Sequence, residues 1–142
     1  MITGRSAATI RGVSLAWPED PVEVIAPLDS RPIRRRGLDV RRTDIGPDDW
    51  APWGQGRPAT PQRMALDPLL DRPLPDAVAD LDAVLRARFV SADEIRRLVA
   101  GRSDNGIVAA RRAVGLTDPR AESRPESRVR VWLVLDGLMP EP

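Results

Sequence analysis

The chain has 142 residues, 42% of them apolar and 30% charged, with a formal net charge of +1. That is the balance of one ordinary globular domain with room for a modest core, neither a disordered tail nor a polycation. It contains no His, no Cys and no Lys, which removes imidazole bases, thiol nucleophiles, zinc sites, disulfides, P-loop lysines and Schiff-base chemistry.

Taken in chain order, Gly4 to Val13 reads as a short helix, with Thr3 as N-cap and Gly12 near its end. Val22 to Ala26 is β-branched and bracketed by Pro21 and Pro27, as a strand should be. Asp29-Ser30-Arg31-Pro32 is turn chemistry, and Leu38 to Thr43 is a second extended piece. Antiparallel pairing of the two across the arginine-rich connection is the expectation. Ile45 to Pro61 is a Pro/Gly loop around Trp50 and Trp53, within which Gly54-Gln55-Gly56 is a loop pair and not a phosphate cradle. Thr60-Pro61 starts a helix that Pro68 should stop or kink.

The second half is helical. Asp76 opens a helix with Val78, Leu81 and Leu85 on one face. Ser91-Ala92-Asp93-Glu94 is a capping box for a helix with Ile95, Leu98 and Val99 inward and Gly101 at its end. A further helix runs from Ile107 to Val114, closed by Gly115. The last starts at Ser123-Arg124-Pro125-Glu126 and ends at Gly137, although Val131 to Leu135 fits a strand on periodicity alone. The expected fold is α+β: a small antiparallel β element in the N-terminal third (1–60), then a mostly helical portion (61–142), together one compact unit. No stretch approaches the roughly 20 apolar residues of a membrane span. With no signal-peptide core behind the N-terminus and no cysteine, a cytoplasmic setting is the expectation.

All 22 basic residues are arginine, as a GC-rich genome would encode, against 21 acids. Six of them, Arg31, Arg34, Arg35, Arg36, Arg41 and Arg42, fall within twelve residues beside one acid, Asp39. Guanidinium groups pair bidentately with phosphates, so DNA or RNA backbone contact is one reading; a solvated hairpin that blocks edge aggregation is the other. The aromatic platform for stacking single strands is missing, since Phe89 is the sole aromatic besides the tryptophans. Trp50 and Trp53 read as interface anchors or as cover for a small core. Asp76, Asp80 and Asp82 read as helix-dipole partners more than as metal ligands. No catalytic residue, metal site or cofactor is assigned, and a self-sufficient enzyme is disfavoured.

Several segments, in this order, resemble a known family: Val22-Glu23-Val24 with its basic follow-on, Arg57-Pro58-Ala59-Thr60-Pro61 leading to Met64-Ala65-Leu66-Asp67, Ala79 to Leu85, and above all Asp118-Pro119-Arg120-Ala121-Glu122-Ser123-Arg124-Pro125-Glu126-Ser127-Arg128-Val129-Arg130. The stretch resembles actinobacterial proteins that join an AbiEi-type antitoxin-like front part to a Vsr-like endonuclease domain. The resemblance places a winged helix before this sequence and a magnesium-binding nuclease core after Met139-Pro140-Glu141-Pro142, and it sets Glu126 where such nucleases carry a first acid. Glu126 equally serves the Ser123 cap. The resemblance implies a non-catalytic interaction module with a toxin-like partner protein. An inert remnant of the endonuclease-domain protein, or a small arginine-mediated nucleic-acid binder, are the alternatives.

Overall fold

The computed structural model describes residues 1–139; Pro140, Glu141 and Pro142, next to which the resemblance would place a nuclease core, lie outside the described residues. The fold is α+β, with two strands first and the longer helices after them. In order these are α1 (Gly4–Ile10), β1 (Val22–Ala26), β2 (Leu38–Arg42), a 3-10 turn (Pro47–Asp49), α2 (Pro61–Asp71), α3 (Leu74–Arg86), α4 (Ala92–Ala100), α5 (Ile107–Gly115) and α6 (Arg124–Leu135). The chain divides into two compact units, Met1–Met64 and Ala65–Pro142.

In the first unit β1 and β2 pair in parallel, Val22 opposite Leu38 through Ala26 opposite Arg42, which corrects the antiparallel expectation. The connection explains the direction. Eleven residues, from Pro27 to Gly37, reach about 36 Å when extended, and a five-residue strand is only about 17 Å long. The link therefore retraces β1 and re-enters level with its start, where Val22 N donates to Gly37 O at 2.8 Å. A tight hairpin would need a link of two to about five residues. The other edge of β1 is taken antiparallel by Met1–Thr3: Ile25 N donates to Met1 O at 2.8 Å and Thr3 N to Glu23 O at 3.0 Å. Ile2 in turn bridges Pro58 in parallel, and Ala59 bridges Trp50 antiparallel. The lateral order is thus Trp50, Pro58–Ala59, Met1–Thr3, β1, β2. Ala7, Ala8, Leu15, Ile25 and Ala59 fill the small core beneath it.

Sequence punctuation sets the helices. Ser91 and Glu94 cap each other reciprocally, with Glu94 N donating to Ser91 Oγ at 3.2 Å and Ser91 N to Glu94 Oε2 at 2.7 Å. Pro68 does not end α2, which runs on to Asp71. A proline inside a helix removes one hydrogen bond, at a cost of about 3 kcal/mol, but here Leu66 and Leu69 on either side of it are fully buried. Burying two leucines at about 1.5–3 kcal/mol each outweighs that loss. Val131 to Leu135 is helical, within α6. Among the described residues no helix is long and apolar enough to cross a membrane.

Gly106, at the N-cap of α5, has φ 85, and a Cβ there would lie 2.0 Å from the Leu70 carbonyl oxygen. Both the left-handed backbone and the contact demand glycine. Gly106→Ala should therefore destabilise the protein by about 2–5 kcal/mol, read as a lower urea midpoint; Gly115→Ala, where added volume meets nothing within 4 Å, is the matched control.

Candidate functional site

Two places gather charged side chains, one in each unit. In the first, the Pro27–Gly37 link leaves Arg31, Arg34, Arg35 and Arg36 exposed. None of these four side chains has a hydrogen bond or ion pair to another described residue. The remaining two arginines of the run are placed differently. Arg42 folds back, its Nη1 donating to Ser30 O at 3.2 Å, and so helps to hold the link against β2. Arg41 is half-buried, in register with the buried Ile25. The run of six therefore splits into four outward cations on the link, one, Arg42, that ties the link to β2, and one, Arg41, half-buried in the strand.

Trp50 and Trp53 lie on the opposite flank of the same unit, in a turn closed by Gly56 N donating to Trp53 O at 2.9 Å. Gly54, at φ 56, supplies the positive φ that primed hairpin turns require. Neither ring is in the core. Trp53 is 52% exposed with the Arg11 guanidinium 5.5 Å from its centroid. Trp50 is half-buried under Arg57 at 4.8 Å. Each ring thus has one face under a guanidinium.

The charge cluster of the second unit joins Asp76, Asp80 and Asp82 of α3 to the Asp118–Arg130 stretch. Asp80 and Asp82 are 1% and 0% exposed, and an ionised carboxylate survives there only if it is paired. Asp82 Oδ2 accepts from Arg130 Nη2 at 2.9 Å, and its Oδ1 from Asp118 N at 2.8 Å. Ser127 hydrogen-bonds the same carboxylate. Asp80 faces Arg124 at 2.5 Å and Arg72 at 3.7 Å. Asp76 meets Arg128 at 3.2 Å. The arginines also fasten the intervening loop: Arg130 Nη1 donates to Leu116 O at 2.6 Å, and Arg86 to Ala121 O.

The helix dipole reaches Asp76 in the first turn of α3, and guanidinium partners from α6, with Arg72 just past the end of α2, hold the aspartates. The signal lay in matched spacings, Asp76 and Asp80 four apart on one helix and Arg124 and Arg128 four apart on another. Glu126 is exposed and caps: its Oε2 accepts from Glu122 N at 2.8 Å, while its N donates to Ser123 Oγ at 3.3 Å. Among the described residues no three His, Cys, Asp or Glu side chains come together as metal ligands.

Burial dominates the Asp82 carboxyl and raises its pKa, against the lowering pull of Ser127, the Asp118 amide and Arg130. Asp118 goes the other way: its hydrogen bonds from Arg120 hold it down at about 2.

No protein-family model and no solved structure matches the chain. Two curated relatives do, both from Mycobacterium tuberculosis: uncharacterized protein MT2308 of strain CDC 1551 / Oshkosh and uncharacterized protein Rv2248 of strain ATCC 25618 / H37Rv. Each is 42% identical over 89 residues, covering 61% of this chain and 33% of the relative. The matching stretch spans about a third of the length of these relatives.

Removing one member of a buried ion pair strands the other, so Asp82→Ala should lose about 3–5 kcal/mol in denaturant unfolding. Asp118→Asn, at the solvent-facing Arg120 pair, should lose far less. In acid the two carboxyls act with opposite signs. Asp118, with its folded pKa lowered, contributes stability above the ordinary carboxylate range that is lost as pH falls toward about 2. Asp82, with its folded pKa raised, contributes most at low pH, and that contribution declines as pH rises through its folded value. Carboxyl NMR titration should show Asp118 ionising first and Asp82 last of the pair; the reverse order would contradict the burial of Asp82.

Proposed function

We propose that the chain is a non-catalytic interaction module of the AbiEi antitoxin-like kind, and that its first unit binds the phosphate backbone of a nucleic acid. One observation carries the reading: Arg31, Arg34, Arg35 and Arg36 extend from a single braced link with no carboxylate of the described chain to neutralise them. Guanidinium groups so placed fit phosphate oxygens bidentately and position a duplex without reading its sequence. Arg42, tied to Ser30, fastens the link beside β2. The cation-covered faces of Trp50 and Trp53 fit a backbone-binding mode better than base stacking.

Binding of the full chain to labelled duplex and single-stranded oligonucleotides, followed by fluorescence anisotropy at several salt concentrations, tests this. Four phosphate contacts to duplex predict a slope of log K against log salt of about −3 to −4. Replacing Arg31, Arg34, Arg35 and Arg36 together by alanine should bring the slope close to zero, with the circular dichroism spectrum unchanged. A salt response that is flat, or that survives the fourfold replacement, would remove the assignment.

A further inference from the structure

Helix α6 is built the wrong way round for a surface helix. The face it turns to α3 carries Arg124, Ser127 and Arg130 on the buried aspartates, with Val131 as the one fully buried aliphatic. Its outer face carries Val129, Trp132 and Leu135, which are 58%, 54% and 36% exposed. Spaced at i, i+3 and i+6, these three form one apolar stripe along the helix. Such a stripe, centred on a tryptophan, has the composition of an interface core and not of a solvated surface.

The charges that flank the stripe identify what fits it. Arg128 stands four residues before Trp132 and Asp136 four residues after it, on the same side of the helix. Arg128 is half-exposed; its Nε faces Asp76, which leaves guanidinium donors to spare. Asp136, the C-cap residue, is exposed, and its carboxylate has no partner among the described residues. An acid at a helix C-terminus is unfavourable by itself, because the helix dipole is negative there. A second α6 laid antiparallel across the first, with the two Trp132 rings meeting on a twofold axis, resolves both features at once. Val129 of each copy then packs on Leu135 of the other, and Arg128 of each faces Asp136 of the other. The pattern is self-complementary, as an isologous contact requires.

We infer that the outer face of α6 is a self-association surface, and that the chain forms a twofold dimer through antiparallel α6–α6 packing centred on Trp132. The inference is independent of nucleic-acid binding, since it uses only residues 128–136.

Sedimentation velocity of the full chain over a wide concentration range, without nucleic acid, is the experiment. The expected result is a monomer–dimer equilibrium. Trp132→Glu should weaken it more than about tenfold, with circular dichroism confirming that this surface change leaves the helices intact. Asp136→Arg, which sets arginine against Arg128 of the other copy, should also shift the equilibrium toward monomer. Asp136→Asn, which removes the charge without adding a repulsive one, should shift it less than Asp136→Arg does. A chain that is monomeric at every concentration overturns the inference. So does a dimer indifferent to Trp132→Glu, or one that Asp136→Arg weakens no more than Asp136→Asn.

Discussion

Burying two ionised carboxylates on one helix sets the terms for the whole second unit. Asp80 and Asp82 point to different sides of α3, which is buried almost all round among apolar side chains, where a lone carboxylate would cost several kcal/mol. Every segment that approaches α3 there arrives with a donor. Arg72 comes from the turn between α2 and α3, Arg124, Ser127 and Arg130 from α6, and the Asp118 amide from the loop. Those donors are concentrated in the Asp118–Arg130 stretch. Its arginines are structural clamps, and the polarity of the inner face of α6 follows from that duty. The apolar residues of that helix are left to the outside as a result.

The first unit is organised by backbone pairing more than by core volume. Four of its buried apolar residues are alanines, with Leu15, Ile25 and Met64 as the larger members. Lateral hydrogen bonds among short segments far apart in sequence supply what so small a core lacks. Arg63, itself buried, reinforces one margin through Asp49 at 3.0 Å. On the far margin β2 has no further strand among the described residues, and the arginine-rich link beside it discourages another chain from adding there. The same cations therefore serve solubility as well as any phosphate.

Element existence was legible wherever a local rule decides it. Ser91 with Glu94, Ser123 ahead of Pro125, and Val22 to Ala26 between prolines all stand where capping and propensity put them. What was not legible depends on partners remote in sequence. The direction of β2 follows from the length of its link and from Met1–Thr3 occupying the other edge of β1, neither of which periodicity records. Pro68 sits within a helix because flanking leucines are buried by residues elsewhere. Of the arginine run, sequence marked the cluster but could not separate the four exposed side chains from Arg41 and Arg42. Trp53 was ambiguous for the same reason, since its cover comes from Arg11, more than forty residues away.

Met1–Thr3 lies between β1 and Pro58–Ala59, hydrogen-bonded to both. On the ribosome these three residues are made long before the second of those neighbours. They must wait, with their backbone groups unsatisfied or solvated, while more than fifty further residues are added. The array can close only after that loop has been bridged, which makes it a late event of high contact order. The helices of the second unit, by contrast, form from neighbours in sequence. Emerging from the tunnel, the unit synthesised before the other thus has the longer route to its finished state, and nascent chains stalled before residue 59 should expose the Met1–Thr3 segment with its outer edge unprotected.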